Sequence, residues 1–213
     1  MCEEPLDNRG DHALDCPCGP LRNFKHDDLA DIYSDIYEEA GGLARREVYV
    51  QELSTRRQEA WLDVWGYGVP ELPDVLLDIT VRHPRAARYR PASEATPAAA
   101  AAKAEDEKVE RYGEKSGRTV WPVAHESWGR LGLQAEAFLL ACAGAAARRA
   151  HRRGRIAGGE LRRWRARLDG ALQRGVAAQL FSARHGLPGR AVRRRRPLDL
   201  TQLDSQCALC SCA

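Results

Sequence analysis

Three carboxylates sit inside segments that otherwise read as buried strand: Asp63 in WLDVW, Asp78 in LLDIT, and Glu52 at the end of YVQEL. A carboxylate in such surroundings is costly unless it is paired, hydrated or bound to a metal. Asp63 and Asp78 are 15 residues apart, on runs joined by a short turn, so their side chains can converge. Converging carboxylates suit Mg²⁺, a hard ion that takes oxygen ligands and keeps several waters. Such an ion activates water and relieves charge on a phosphate during hydrolysis. The plainer alternative for either Asp is a strand-end residue held by backbone amides. Asp74 follows Pro73 but lies too near Asp78 for a hairpin between them, and reads as a turn residue.

A second chemical grouping is Cys2, His12, Cys16, Cys18 and His26. His12-x₃-Cys16 has the spacing of the second half of a CCHC knuckle, in which Zn²⁺ takes four nitrogen or sulfur ligands. Cys2 supplies one more ligand, with Cys18 or His26 as the alternative closure; loop thiols and a helix-capping histidine are the other reading. Cys207, Cys210 and Cys212 have metal-like spacing without a fourth partner and read as a frayed end. Tyr89 among Arg85, Arg88 and Arg90 has the composition of a nucleic-acid groove, against a solvated loop. Arg193 and Arg194 belong to the RRRR run at 193–196, a nuclear-import or phosphate-binding pattern.

The charge of the 213-residue chain is unevenly divided. From Arg148 onward there are 16 Arg and 4 acids, a net of +12, which leaves −9 on the first 147 residues. A basic end on an acidic body suits a polyanion, DNA or RNA. Lys occurs 4 times against 29 Arg, beside abundant Ala and Gly, so part of the Arg excess is coding bias of a GC-rich genome. Hydrophobic residues at 44% and charged residues at 30% permit a folded core. No apolar run reaches the ~18 residues of a membrane span, and the charged opening MCEEPLDNRG is no signal peptide. Seven cysteines, an odd number clustered at the two ends apart from Cys142, argue for a reducing compartment, nuclear or cytoplasmic, and against secretion.

These residues must be positioned by a recognisable series of elements. Asp27 or Asp28 caps a helix whose Leu29, Ile32, Tyr33 and Ile36 share a face, stopped at Gly41-Gly42. Strands follow at 46–53, 59–68 and 74–81, the third nearly all apolar and hence central. After a loop rich in Arg and Pro, Thr96-Pro97 opens a helix that runs to about Tyr112. Residues 118–127 form a fourth strand whose Pro122 puts it at a sheet edge or after a bulge. Helices cover Leu133 to Arg149 and Glu160 to Arg184, and 186–213 is expected to be disordered. The order is that of an α/β fold with a restriction-endonuclease-like αβββαβ core and additional C-terminal helices, an order that other mixed folds share. The expected segments are a zinc-knuckle remnant at 1–26, a core at 27–150, a C-terminal helix at 151–185 and a basic, Cys-containing tail at 186–213.

The same residues carry a resemblance. Gly10-Asp11-His12-Ala13-Leu14 with Cys16, Lys25-His26-Asp27, Leu62-Asp63-Val64, and Leu77-Asp78-Ile79-Thr80-Val81 before His83-Pro84 occur in that order. Ala104-Glu105 with Lys108 and Tyr112, then Gly129-Arg130-Leu131-Gly132, complete the series. Over about residues 8–185 the chain resembles the PD-(D/E)XK nuclease-like domain found after the reverse transcriptase in some non-LTR retroelement polyproteins. The resemblance implies Mg²⁺-dependent DNA cleavage, with Asp63 and Asp78 as ligands and Glu52, or failing that Glu47, as auxiliary acid. It also implies another Cys upstream of Met1, and hence a fragment of a longer chain. The departure is at Thr80, where the family's Lys stands two residues after the second acid. In similar retroelement domains a Lys of the following helix replaces it. Lys108 fits, because Ala101, Glu105, Lys108 and Tyr112 share one helical face; pairing with Glu105 on a solvated surface is its other reading. The alternatives to a nuclease are a binding module that has lost cleavage and a decayed element fragment.

Overall fold

The computed structural model describes residues 6–16, 21, 23–55, 58–70, 72–113, 119–154, 158–185 and 198–199. The fold is mixed α/β. Six helices are found among the described residues: α1 (Asp11–Asp15), α2 (Phe24–Ala40), α3 (Arg90–Ala95), α4 (Ala99–Tyr112), α5 (Leu133–Arg152) and α6 (Glu160–His185). Four strands, β1 (Leu43–Tyr49), β2 (Trp61–Tyr67), β3 (Val75–Arg82) and β4 (Thr119–Glu126), build a mixed sheet in the order β4-β3-β2-β1. β1–β2 and β2–β3 are antiparallel, and β4 joins β3 in parallel after the crossover through α4. Of the tail, two residues are described, β5 (Leu198–Asp199), which pairs in parallel with Val48 and Tyr49. The rest of the tail, with Arg193, Arg194, Cys207, Cys210 and Cys212, lies outside the described residues, as do Cys2 and Cys18.

Period dictates the layers. In α2, Leu29, Tyr33, Ile36, Tyr37 and Ala40 are buried at helical spacing, as are Trp164, Leu168, Ala171, Leu172 and Val176 of α6. With Phe138, Leu139 and Cys142 of α5 they close the main core over Val64, Leu77, Ile79 and Val123 of the sheet. The 151–185 segment is therefore built into the same core as α2. α4 covers the opposite face, where Ala101 and Ala104 pack on Ala124. β3 is buried along most of its length because both faces are covered, and β4 takes the edge that Pro122 permits. Gly66 is required by close approach: a Cβ there would lie 2.9 Å from the Tyr37 ring. No helix among the described residues is long and apolar enough to cross a membrane.

Several boundaries move for physical reasons. α2 begins at Phe24, which draws Lys25 and His26 into its first turn. β1 starts at Leu43 and ends at Tyr49, and Gln51–Leu53 forms a short 3-10 turn. The loop after β3 contains α3, with Pro91 in its first turn where no amide donor is needed. The N-terminal segment forms α1, whose start is held by Asp7: its carboxylate accepts the N–H groups of Arg9, Asp11 and His12.

Fully buried His125 of β4 lies 2.8 Å from the Tyr33 hydroxyl through Nε2. Burial disfavours the imidazolium and pushes its pKa from 6.5 down to about 4. Between those values the unfolded chain binds more protons, so stability rises with pH across that window and is lost as pH falls through it. Urea midpoints measured from neutral pH to pH 4 are expected to record a loss on the order of 3 kcal/mol. His125→Phe removes most of that slope; burial also lowers the pKa of His83, which supplies part of the remainder. An unchanged slope in the variant would refute the linkage to His125.

Candidate active site

The register brings the two acids together. β2 and β3 pair through Val64↔Leu77, and the next residues in that register are Asp63 and Asp78. The pairing stops there. Asp63 Oδ2 accepts the Ile79 N–H at 2.5 Å, so a side chain caps the opened ladder. That contact is the amide anchoring expected of a strand-end Asp, and it occupies one oxygen of two.

β1 changes character at the same level. Residues two apart on a strand ordinarily share a face, yet Val64 belongs to the main core while Leu62, with Val48 and Val50, belongs to a second cluster. The exchange falls at Glu47, whose φ of 54° is unusual for a residue with a side chain. Glu47 holds the strand position opposite Asp63, between the pairs Arg46↔Val64 and Val48↔Leu62, and Arg46 Nε donates to the Asp63 carbonyl. Glu52 is exposed in the 3-10 turn beyond the strand. Of the two candidates for auxiliary acid, Glu47 is the one in register with Asp63.

From the other side α4 delivers a cation. Lys108 Nζ donates to both oxygens of buried Asp78, at 2.7 and 2.6 Å, and the Tyr112 hydroxyl donates to Oδ2 at 2.5 Å. Burial, and then the Asp78 charge, raise the Tyr112 pKa, so the phenol stays protonated as a donor. The other reading of Lys108, a surface pair with Glu105, does not hold, because Glu105 is itself buried and turned elsewhere. Its carboxylate accepts the N–H groups of Ala124, Gln134 and Ala135, joining β4 to the first turn of α5. The start of α4 is held by Glu126 of β4, which accepts the Ala100 N–H at 3.1 Å, a task the sequence assigns to Thr96-Pro97. Two buried glutamates thus fix the helix that aims Lys108.

The first turn of α2 reaches the opened strand ends. His26 Nε2 lies 3.1 Å from the Ile79 carbonyl and 3.3 Å from Asp63 Oδ1, while Nδ1 lies 3.1 Å from Asp27 Oδ1. Burial alone would lower its pKa, but the charges of Asp63 and Asp27 and their hydrogen bonds outweigh it and raise the value to about 10. A cationic imidazole therefore faces two converging oxygens. Lys25, which also lines the groove beside the site, donates to Gln179 Oε1 at 2.8 Å, and Gln179 Nε2 donates to the Ala13 carbonyl at 2.7 Å. That chain ties α1, α2 and α6 together behind the site.

Asp78, Lys108, Thr80, His26 and Arg88 line an open groove of about 750 Å³. The three arginines expected near Tyr89 divide. Arg88 lies over the Tyr89 ring at 4.3 Å and lines the groove. Arg85 pairs with Asp11 at 2.7 Å, and Arg90 donates to the Arg85 carbonyl; both line an adjacent recess with His12 and Cys16. Asp11 also accepts from His83 Nε2 at 3.0 Å, and His83 Nδ1 lies 2.8 Å from Ser127 Oγ. Those are the parts of a nucleophilic triad, but Ser127 is 0% exposed and acts as a strut. Among the described residues no three or more His, Cys, Asp or Glu side chains form a metal cage. Of the zinc candidates His12, Cys16 and His26 are described: the first two line one recess, and His26 sits on Asp63 and Asp27 instead.

No protein-family model matches the chain, and no curated protein matches it either. The chemistry of the site therefore rests on its geometry. His26 enters the sequence reading as part of the resemblance and as a spare zinc ligand, with no signal for its contact with Asp63. Arg82, which also lines the groove, is missed altogether, although the strand period Asp78, Thr80, Arg82 places all three on one face.

Proposed function

We propose that this chain is a Mg²⁺-dependent DNA endonuclease of the restriction-endonuclease-like type, derived from a retroelement. The observation that carries the reading is the convergence of oxygens at the opened β2–β3 ends. Asp63 and Asp78 stand opposite each other in the strand register there, with His26 on Asp63 and the Ile79 carbonyl and Lys108 on Asp78. The element order α2-β1-β2-β3-α4-β4, with β3 central, supports the fold assignment. The donors are oxygen only, which fits a hard divalent cation. Asp63 and Asp78 would hold Mg²⁺, whose chemistry there is to acidify a bound water and relieve charge on the phosphate. Lys108 brings the positive charge that Thr80 lacks, oriented by Asp78 and Tyr112. His26 directs Asp63 from 3.3 Å, and Arg88 offers the groove a guanidinium for the nucleic-acid backbone.

The test is nicking of supercoiled DNA by the purified full chain. Conversion to open circle with Mg²⁺ and none with EDTA is expected. No conversion at any Mg²⁺ or Mn²⁺ concentration, from protein shown to bind the plasmid, would remove the nuclease reading. A second reading has its own support: Lys108 already engages both Asp78 oxygens, and an ion pair so complete also suits a nucleic-acid-binding module that no longer cleaves.

A further inference from the structure

Among the described residues, Arg82 is the groove cation that has no side-chain partner. It ends β3, lines the groove, and makes no side-chain hydrogen bond or ion pair among the described residues. Its Nε is buried without a partner. Glu126, its cross-strand partner, gives Oε1 to the Ala100 N–H and forms no ion pair with it. Every other arginine near the groove is engaged: Arg85 by Asp11, Arg88 by Tyr89 and Glu107, Arg90 by a carbonyl. A half-buried guanidinium without a counter-charge is destabilising, and its fork of donors matches a phosphate. Tyr89, also lining the groove, has a buried hydroxyl with no partner.

We propose that Arg82, flanked by Arg88 on the Tyr89 ring, is a phosphate subsite for the DNA backbone. Asp78 and Arg82 are four strand residues apart, about 13 Å, so the phosphate at Arg82 is a different one from the phosphate at Asp78. The subsite would anchor the strand next to the bond presented to the acids. This inference rests on the nucleic-acid reading above but does not require cleavage.

The experiment is binding of a short duplex oligonucleotide in EDTA, followed by fluorescence anisotropy over a range of salt, with thermal melting of each free protein. Losing one phosphate contact lowers the slope of log affinity against log salt by about 0.9. Arg82→Met is expected to show that decrease and to melt at or above the wild-type temperature, because an unanswered charge has been removed. Arg82→Lys is expected to keep the slope. Arg165→Met, which removes a charge paired with Glu136 outside the groove, is expected to leave the slope unchanged. An unchanged slope in Arg82→Met overturns the subsite, as does a fall in both melting temperature and affinity that Arg82→Lys does not restore. Wild type that binds without cutting ends the nuclease reading and leaves the subsite standing. Wild type that cuts, with Arg82→Met unaltered, does the reverse, and wild type that does not bind the duplex overturns both.

Discussion

Asp78→Asn is expected to lower Mg²⁺-dependent nicking by orders of magnitude while DNA binding is retained. The amide keeps the shape of the carboxylate and one oxygen acceptor for Tyr112, so the β3–α4 contact survives. It removes the charge that would hold a divalent cation and orient Lys108. Lys108→Ala is expected to reduce cleavage similarly, because Thr80 has no charge to contribute. Thr80 lies two residues beyond Asp78, on the same face and in the same groove, so Thr80→Lys in the Lys108→Ala background is expected to restore part of the activity. Initial nicking rates for the four proteins, beside anisotropy of a labelled duplex in EDTA, separate catalysis from binding. Equal rates for wild type and Asp78→Asn would end the assignment of Asp78 to catalysis. Loss of duplex binding in Asp78→Asn would instead assign the Asp78–Lys108 pair to holding the groove.

The second large effect is structural. Glu105→Ala is expected to destabilise the protein by about 3–5 kcal/mol, because it removes the acceptor of three amides at once, two of them buried and that of Gln134 partly so. Glu105→Gln keeps one acceptor oxygen and should cost clearly less. The neighbouring Gly132 supplies an internal check, since a Cβ there would lie 2.1 Å from Glu105 Oε1. Gly132→Ala alone is therefore expected to be destabilising, yet to add little on top of Glu105→Ala, where the opposing oxygens are gone. Urea midpoints of the two single variants and the double variant measure the coupling. Strict additivity would show that Gly132 does not serve the Glu105 contact. A loss below about 1 kcal/mol in Glu105→Ala would show that other groups satisfy the α5 amides.

What the sequence determined by itself is local and periodic. The apolar spacing of Leu29, Tyr33 and Ile36 specifies α2, the unbroken apolar run around Asp78 specifies a central strand, and Pro122 narrows its strand to an edge or a bulge, of which the fold takes the edge. Asp63 and Asp78 stand out for the same reason, as charges in strands whose neighbours all want burial. Shared helical spacing also put Glu105, Lys108 and Tyr112 on one face. Which partner each of them meets was beyond that reach. Lys108 turns to Asp78, 30 positions earlier in the chain, while Glu105 turns to the amides of α5 about as far ahead. That Glu47 and not Glu52 lies opposite Asp63 depends on a register one residue could have shifted, and on a positive φ at Glu47 that no residue type announces. Arg85, Arg88 and Arg90 look alike in sequence, and only packing set Arg85 on Asp11 and Arg88 on Tyr89. The physical reason is common to all of these. Propensity and periodicity act over a few residues, whereas an ion pair is decided by which low-dielectric surroundings the finished fold closes around each charge.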